Sequence, residues 1–193
     1  GKDGARPLSG AQSVTIDAGS VFDIQLAGVP AGTYGVQVTS NAPVGAAARL
    51  VRSGGEYPAR SKALVHDQAW AQAALPGAAD SGLLAVPRAA SLSSAVTVAN
   101  SGDTTSVTLS SLDGSWKQDV KVAKGASVVV EVPAEVSALR LNAAGQESSS
   151  GTSRTSSGLA AAAIVTAQAG GDLAGTLIST VPAQPDATVQ AQR

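Results

Sequence analysis

Between residues 120 and 132, valines alternate with polar or small residues on both sides of a glycine. Val120 and Val122 are followed by Lys124-Gly125, then by Val128, Val130 and Val132 up to Pro133. A period of two sends alternate side chains to one face, so each run predicts a half-buried strand. The glycine predicts a turn that pairs them. The same layout occurs earlier, at Val14, Ile16, Gly19, Phe22, Ile24 and Leu26. Residues 34–39 alternate again through Val36 and Val38, and residues 44–51 are small and apolar, the pattern of a buried strand.

Further along, residues 64–74 fit a strand containing Trp70 or a short helix, because their alanines suit either. Residues 83–86 form a brief strand stopped by Pro87. Residues 95–99 and 106–110 are strands joined by Asn100-Ser101-Gly102-Asp103, which predicts a hairpin. Leu112-Asp113-Gly114 is another turn, and strands follow at 136–141, 159–165 and 173–181. Residues 146–158 are rich in Gly, Ser and Thr and predict a mobile loop, while the last residues predict a frayed strand or tail.

The two halves align with each other. Asp3-Gly4 matches Asp113-Gly114, and the apolar set 14–26 matches Val120 through Val132. Val36 and Val38 match Leu139 and Leu141. Residues 45–51 match 159–165, and Gly54-Gly55 matches Gly170-Gly171. Agreement in order and spacing predicts one β unit written twice. The second copy has two strands, 95–99 and 106–110, ahead of its Asp-Gly. The first has none, so it is expected to be truncated at its N-terminus, with an edge that another chain or the segment 56–82 would cover.

Composition narrows the picture. Of 193 residues, 44% are hydrophobic but only 3% aromatic, so the core must be built from Val, Leu, Ile and Ala. Those small and β-branched side chains suit pleated sheet faces. A formal net charge of -1 gives no electrostatic footprint for nucleic acid. Cysteine is absent, which removes disulfides, thiol nucleophiles and thiolate metal sites. No uninterrupted apolar run reaches the length of a membrane span.

Candidate chemistry is sparse. His66 is the single histidine, and a Ser-His-Asp triad would need it as base. Asp67 lies next to it, on the opposite face if the segment is a strand. One histidine without cysteine argues against zinc. Asp17, Asp23, Asp103, Asp113, Asp119 and Asp172 are scattered singly, and turn aspartates are explained by their own local hydrogen bonds. No pair among Glu56, Glu131, Glu135, Glu147 and these aspartates is favoured for acid–base work. The aromatic residues are Phe22, Tyr34, Tyr57, Trp70 and Trp116. Trp70 is expected to plug a core or an interface between units. Trp116, after a turn, and Tyr34 are the candidates for stacking on sugar rings.

Several short stretches carry a resemblance: Leu-Ala-Val-Pro-Arg at 84–88, Val-Thr-Val-Ala-Asn at 96–100, Leu-Asp-Gly at 112–114, Val-Ala-Lys-Gly-Ala-Ser at 122–127 and Ser-Asn-Ala-Pro-Val at 40–44. Together they resemble an uncharacterised family of actinobacterial secreted or membrane-anchored proteins. The resemblance implies an immunoglobulin-like β-sandwich outside the cytoplasm and carries no activity over to this chain. The expected architecture is all-β, with tandem immunoglobulin-like sandwich units: a partial unit plus connecting segment over 1–82 and a second unit over 83–193. The expected role is a non-catalytic structural or interaction module of a bacterial cell-envelope protein, with no cofactor and no metal. Its partner would be a protein or glycan at the cell surface, met in part through edge strands. A carbohydrate-binding module using Trp116 and Tyr34 is the alternative.

Overall fold

The computed structural model describes residues 1–8, 13–26, 28–30, 32–56, 60–144, 158–169 and 172–180. The described residues form ten strands and no helix. They are β1 (Ala47–Glu56), β2 (Leu64–Gln72), β3 (Ser81–Ala85), β4 (Leu92–Asn100), β5 (Thr105–Ser111), β6 (Lys117–Val122), β7 (Ser127–Glu131), β8 (Ala138–Ala143), β9 (Leu159–Ala169) and β10 (Asp172–Thr180). The expected loop at 146–158, except for Gly158, lies outside the described residues, as do Tyr57, Gly170-Gly171 and the tail from 181.

Strands β3 to β10 make two antiparallel four-stranded sheets, ordered β10-β9-β4-β7 and β3-β8-β5-β6. The sheets face each other across one core. Val96, Val98, Val130, Leu159, Ala161 and Ala163 come from the first, and Leu84, Val107, Leu109, Val122, Leu139 and Leu141 from the second. Alternation produces this: β8 buries every second residue, and β6 does so at Val120 and Val122, as a pleated strand with one covered face must.

Two expected hairpins are arches instead. β4 pairs with β7 and β9, and β5 pairs with β6 and β8, so the turn after Asn100 carries the chain from one sheet to the other. Likewise, β6 and β7 flank Gly125 but lie in opposite sheets, with their valines meeting across the core. Alternation reveals which face of a strand is buried; it carries no information about which strand lies beside it. Within the two four-stranded sheets the local hairpins are β5–β6, through Leu112-Asp113-Gly114, and β9–β10.

The N-terminal third departs furthest from expectation. Residues 13–17, 21–26 and 34–39, expected as strands, belong to no sheet. Among the described residues there, only β1 and β2 pair, as a two-stranded sheet, and β2 lies against β10 of the following unit. Trp70, expected as a core plug, is exposed on β2, with the Arg49 guanidinium 5.7 Å from its ring centroid in a cation–π contact.

Candidate interaction surface

The N-terminal apolar residues face solvent. Ile16, Phe22, Ile24, Leu26, Val36 and Val38 are 44–59% exposed. Their aligned counterparts Val122, Val130, Val132, Leu139 and Leu141 are 0–8% exposed, and Val128 is partly buried against the core. Scattered exposed apolar side chains are ordinary on a protein surface. Six in one segment is a concentration of exposed apolar side chains, the kind of feature that interaction surfaces share.

The turns along this segment reproduce those of the two-sheet unit. Gly4 N donates to Gly1 O at 3.2 Å, as Gly114 N donates to Ser111 O at 3.1 Å. Ser20 N donates to Asp17 O at 3.1 Å, as Ala126 N donates to Ala123 O at 3.0 Å. Gly19 and Gly125, the third residues of these latter turns, have φ of 76° and 69°, a left-handed conformation that glycine adopts without Cβ strain.

The segment meets the two-sheet unit at several points, among them Thr33, which lines a hollow with Thr97, Ile164 and Thr166. Ser127 N donates to Gly1 O at 3.2 Å. Ala5 lies against Gly125, and Gly35 lies so close to Ala99 that a Cβ on it would meet the Ala99 Cβ at 2.6 Å.

Asn100 ties the two arches together. Its buried side chain donates from Nδ2 to the carbonyls of Asp103, at 2.8 Å, and Val122, at 3.0 Å. Its Oδ1 accepts from Gly102 N at 2.9 Å. Its backbone bonds both Ala126 O and Gly125 N at 2.9 Å. At the open end of the arch, Lys124 pairs with Asp103 at 3.0 Å across exposed surface. Sequence reading identifies Asn100 only as a turn residue, since its distant partners become neighbours only after folding.

The residues singled out for chemistry do not converge. His66 is exposed on β2, in register with Ser53, and adjacent Asp67 is in register with Arg52. Trp116 is partly buried with its indole against the core, and its backbone N accepts no solvent role but donates to Ser111 Oγ at 2.9 Å. Tyr34 is exposed, with its hydroxyl donating to Pro30 O at 2.9 Å and its ring edge beside Gly1 and Gly32. Asp113 caps its own turn, accepting from Ser115 N at 3.1 Å and Ser115 Oγ at 2.8 Å. The Ser111 hydroxyl, followed by these Ser115 bonds, lowers its pKa to about 2 by favouring the charged carboxylate. That is a turn's electrostatics on an exposed loop.

Two hollows among the described residues are open depressions of about 230 and 240 Å³. One is bounded by Arg88, Leu92, Pro133 and Val136, the other by Thr33, Thr97, Ile164 and Thr166. Both share Glu131 as their carboxylate. Among the described residues, no group of three or more His, Cys, Asp or Glu could hold a metal ion. No helix among them is long and apolar enough to cross a membrane.

Fold and surface together define an all-β protein with one covered core and one uncovered apolar row. The chain belongs to a family of unknown function, DUF5719, which matches residues 1–133. The match takes in the whole exposed row at 14–38 as well as β1 to β7. No curated protein and no solved structure matches the chain.

Proposed function

We propose that the chain is a non-catalytic structural or interaction module of an extracytoplasmic cell-envelope protein, made of immunoglobulin-like β-sandwich units in tandem. β3 to β10 are the closed unit. Residues 1–72 are a second copy of the same plan left open. The matched turns and the aligned alternation support the duplication. Absence of cysteine and the resemblance noted above support a place outside the cytoplasm.

The observation that carries this reading is the exposed apolar row from Ile16 to Val38. Apolar surface kept out of water on assembly is the main driving force of protein association, so an open row on a chain without a gathered set of reactive groups is a protein-binding feature. The carbohydrate-binding alternative has less support, because the indole of Trp116 rests on the core and Tyr34 stands with its hydroxyl held by Pro30.

Photo-crosslinking in the producing cell tests this. A benzophenone side chain at position 22 is expected to give protein adducts, diminished by Ile24→Asp, while the same group at Lys117 on the closed unit gives few. Absence of protein adducts at 22, combined with polysaccharide binding that Tyr34→Ala abolishes, would replace this reading with the carbohydrate one.

A further inference from the structure

The pattern of pairing in the closed unit says which strands the open copy lacks. In the closed unit, β4 lies between β9 and β7, and β5 lies between β8 and β6. These two strands are consecutive, and the arch at 101–104 carries the chain from one sheet to the other. In the open copy, residues 14–16 stand for β6, 21–26 for β7, 36–38 for β8, and β1 and β2 for β9 and β10. Counterparts of β4 and β5 are the missing centres of both sheets. Without them, the counterparts of β6, β7 and β8 have no neighbour to bond. The counterparts of β9 and β10 still pair, because that hairpin is local. This is the state observed: β1 and β2 form a sheet, and residues 13–26 and 36–38 form none.

We infer that the open copy is completed by a β-arch, two strands of alternating apolar residues joined by a short turn, one entering each sheet. The inference rests on the duplication argued above and goes further by naming the occupant. One strand fits between β1 and residues 21–26, the other between residues 14–16 and 36–38. Main-chain hydrogen bonds supply the pairing and alternate side chains supply the fit, as in strand addition generally. Ile16, Ile24, Leu26, Val36 and Val38 become the walls of its core.

The turn at Gly1 sets where a test arch can be attached. Gly1 O accepts from Gly4 N as Ser111 O accepts from Gly114 N, and Ser111 is the last residue of β5. Gly1 therefore holds the place that Ser111 holds, and a copy of β5 joined to it is in register to enter the sheet.

The full chain extended ahead of Gly1 by a copy of residues 81–110 tests this. In that protein, amide exchange at 14–16, 21–26 and 36–38 is expected to slow by roughly 100-fold or more relative to the unextended chain, as newly bonded strand amides do. The same extension carrying Val98→Asp and Leu109→Asp in the added copy is expected to leave those rates unchanged. Protected amides in β5 and β8 report that the closed unit is folded in each protein. Unchanged rates in the extended chain overturn the inference, and so does equal slowing by the aspartate-bearing copy. Adducts at position 22 without any slowing would keep the interaction role and discard the arch.

Discussion

Asn100→Ala is expected to destabilise the closed unit by about 3 kcal/mol, since it removes three side-chain hydrogen bonds at one buried position. A typical net hydrogen bond contributes about 1 kcal/mol, and stranding a buried partner costs about 1–3 kcal/mol. The Val122 carbonyl is such a partner, because Val122 is fully buried. Asn100→Asp should be nearly as damaging. It keeps an acceptor for Gly102 N but turns an oxygen toward the carbonyls of Asp103 and Val122. Urea denaturation followed by far-UV circular dichroism measures both. A loss below about 1 kcal/mol for Asn100→Ala would mean that the two arches hold together without it.

The second large effect distinguishes the two copies. Leu141 is fully buried between the sheets, and Leu141→Ala is expected to cost about 2–5 kcal/mol through lost transfer energy and the cavity left behind. Val38 occupies the aligned position in the open copy but is exposed, so Val38→Ala is expected to change stability by no more than about 0.5 kcal/mol. The same denaturation experiment reads both variants. Comparable losses at the two positions would mean that residues 34–39 already sit in a core in the free chain.

Much of the fold is legible in the sequence, within limits that have physical causes. Burial is readable because one side of each strand is wet: Val120 and Val122 of β6, Val130 of β7 and the leucines of β8 are inside, while Val129, next to Val130 in sequence, faces out, as alternation requires. Pairing is not readable, because period two is the same whether the neighbour is the next strand or one sixty residues away. The stretches around Asn100 and Gly125 therefore suggest hairpins and fold as arches. The largest departure is at Val14 to Leu26. Its alternation is as regular as that of Val120 to Val132, yet a strand needs a ladder partner as well as a pattern. Trp70 departs for a related reason. Aromatic scarcity suggests a core role, but the Trp70 ring lies on an exposed face of β2 with the Arg49 guanidinium over it.

The turn aspartates find partners at different ranges: Asp113 is held by Ser115 within its own turn, a contact the sequence suggests, whereas Asp103 pairs with Lys124 only once the chain has folded. The surface that does stand out cannot be recognised from sequence alone, because Ile16 and Ile24 look like ordinary core residues until the fold leaves them exposed.

Amide hydrogen exchange on the free chain, comparing residues 14–26 with residues 120–132, tests the open-and-closed account most directly. The account predicts β6 and β7 amides protected to near the global unfolding limit, while the aligned amides at 14–16 and 21–26 exchange at rates close to those of an unstructured peptide. Matching protection in the two stretches would contradict it.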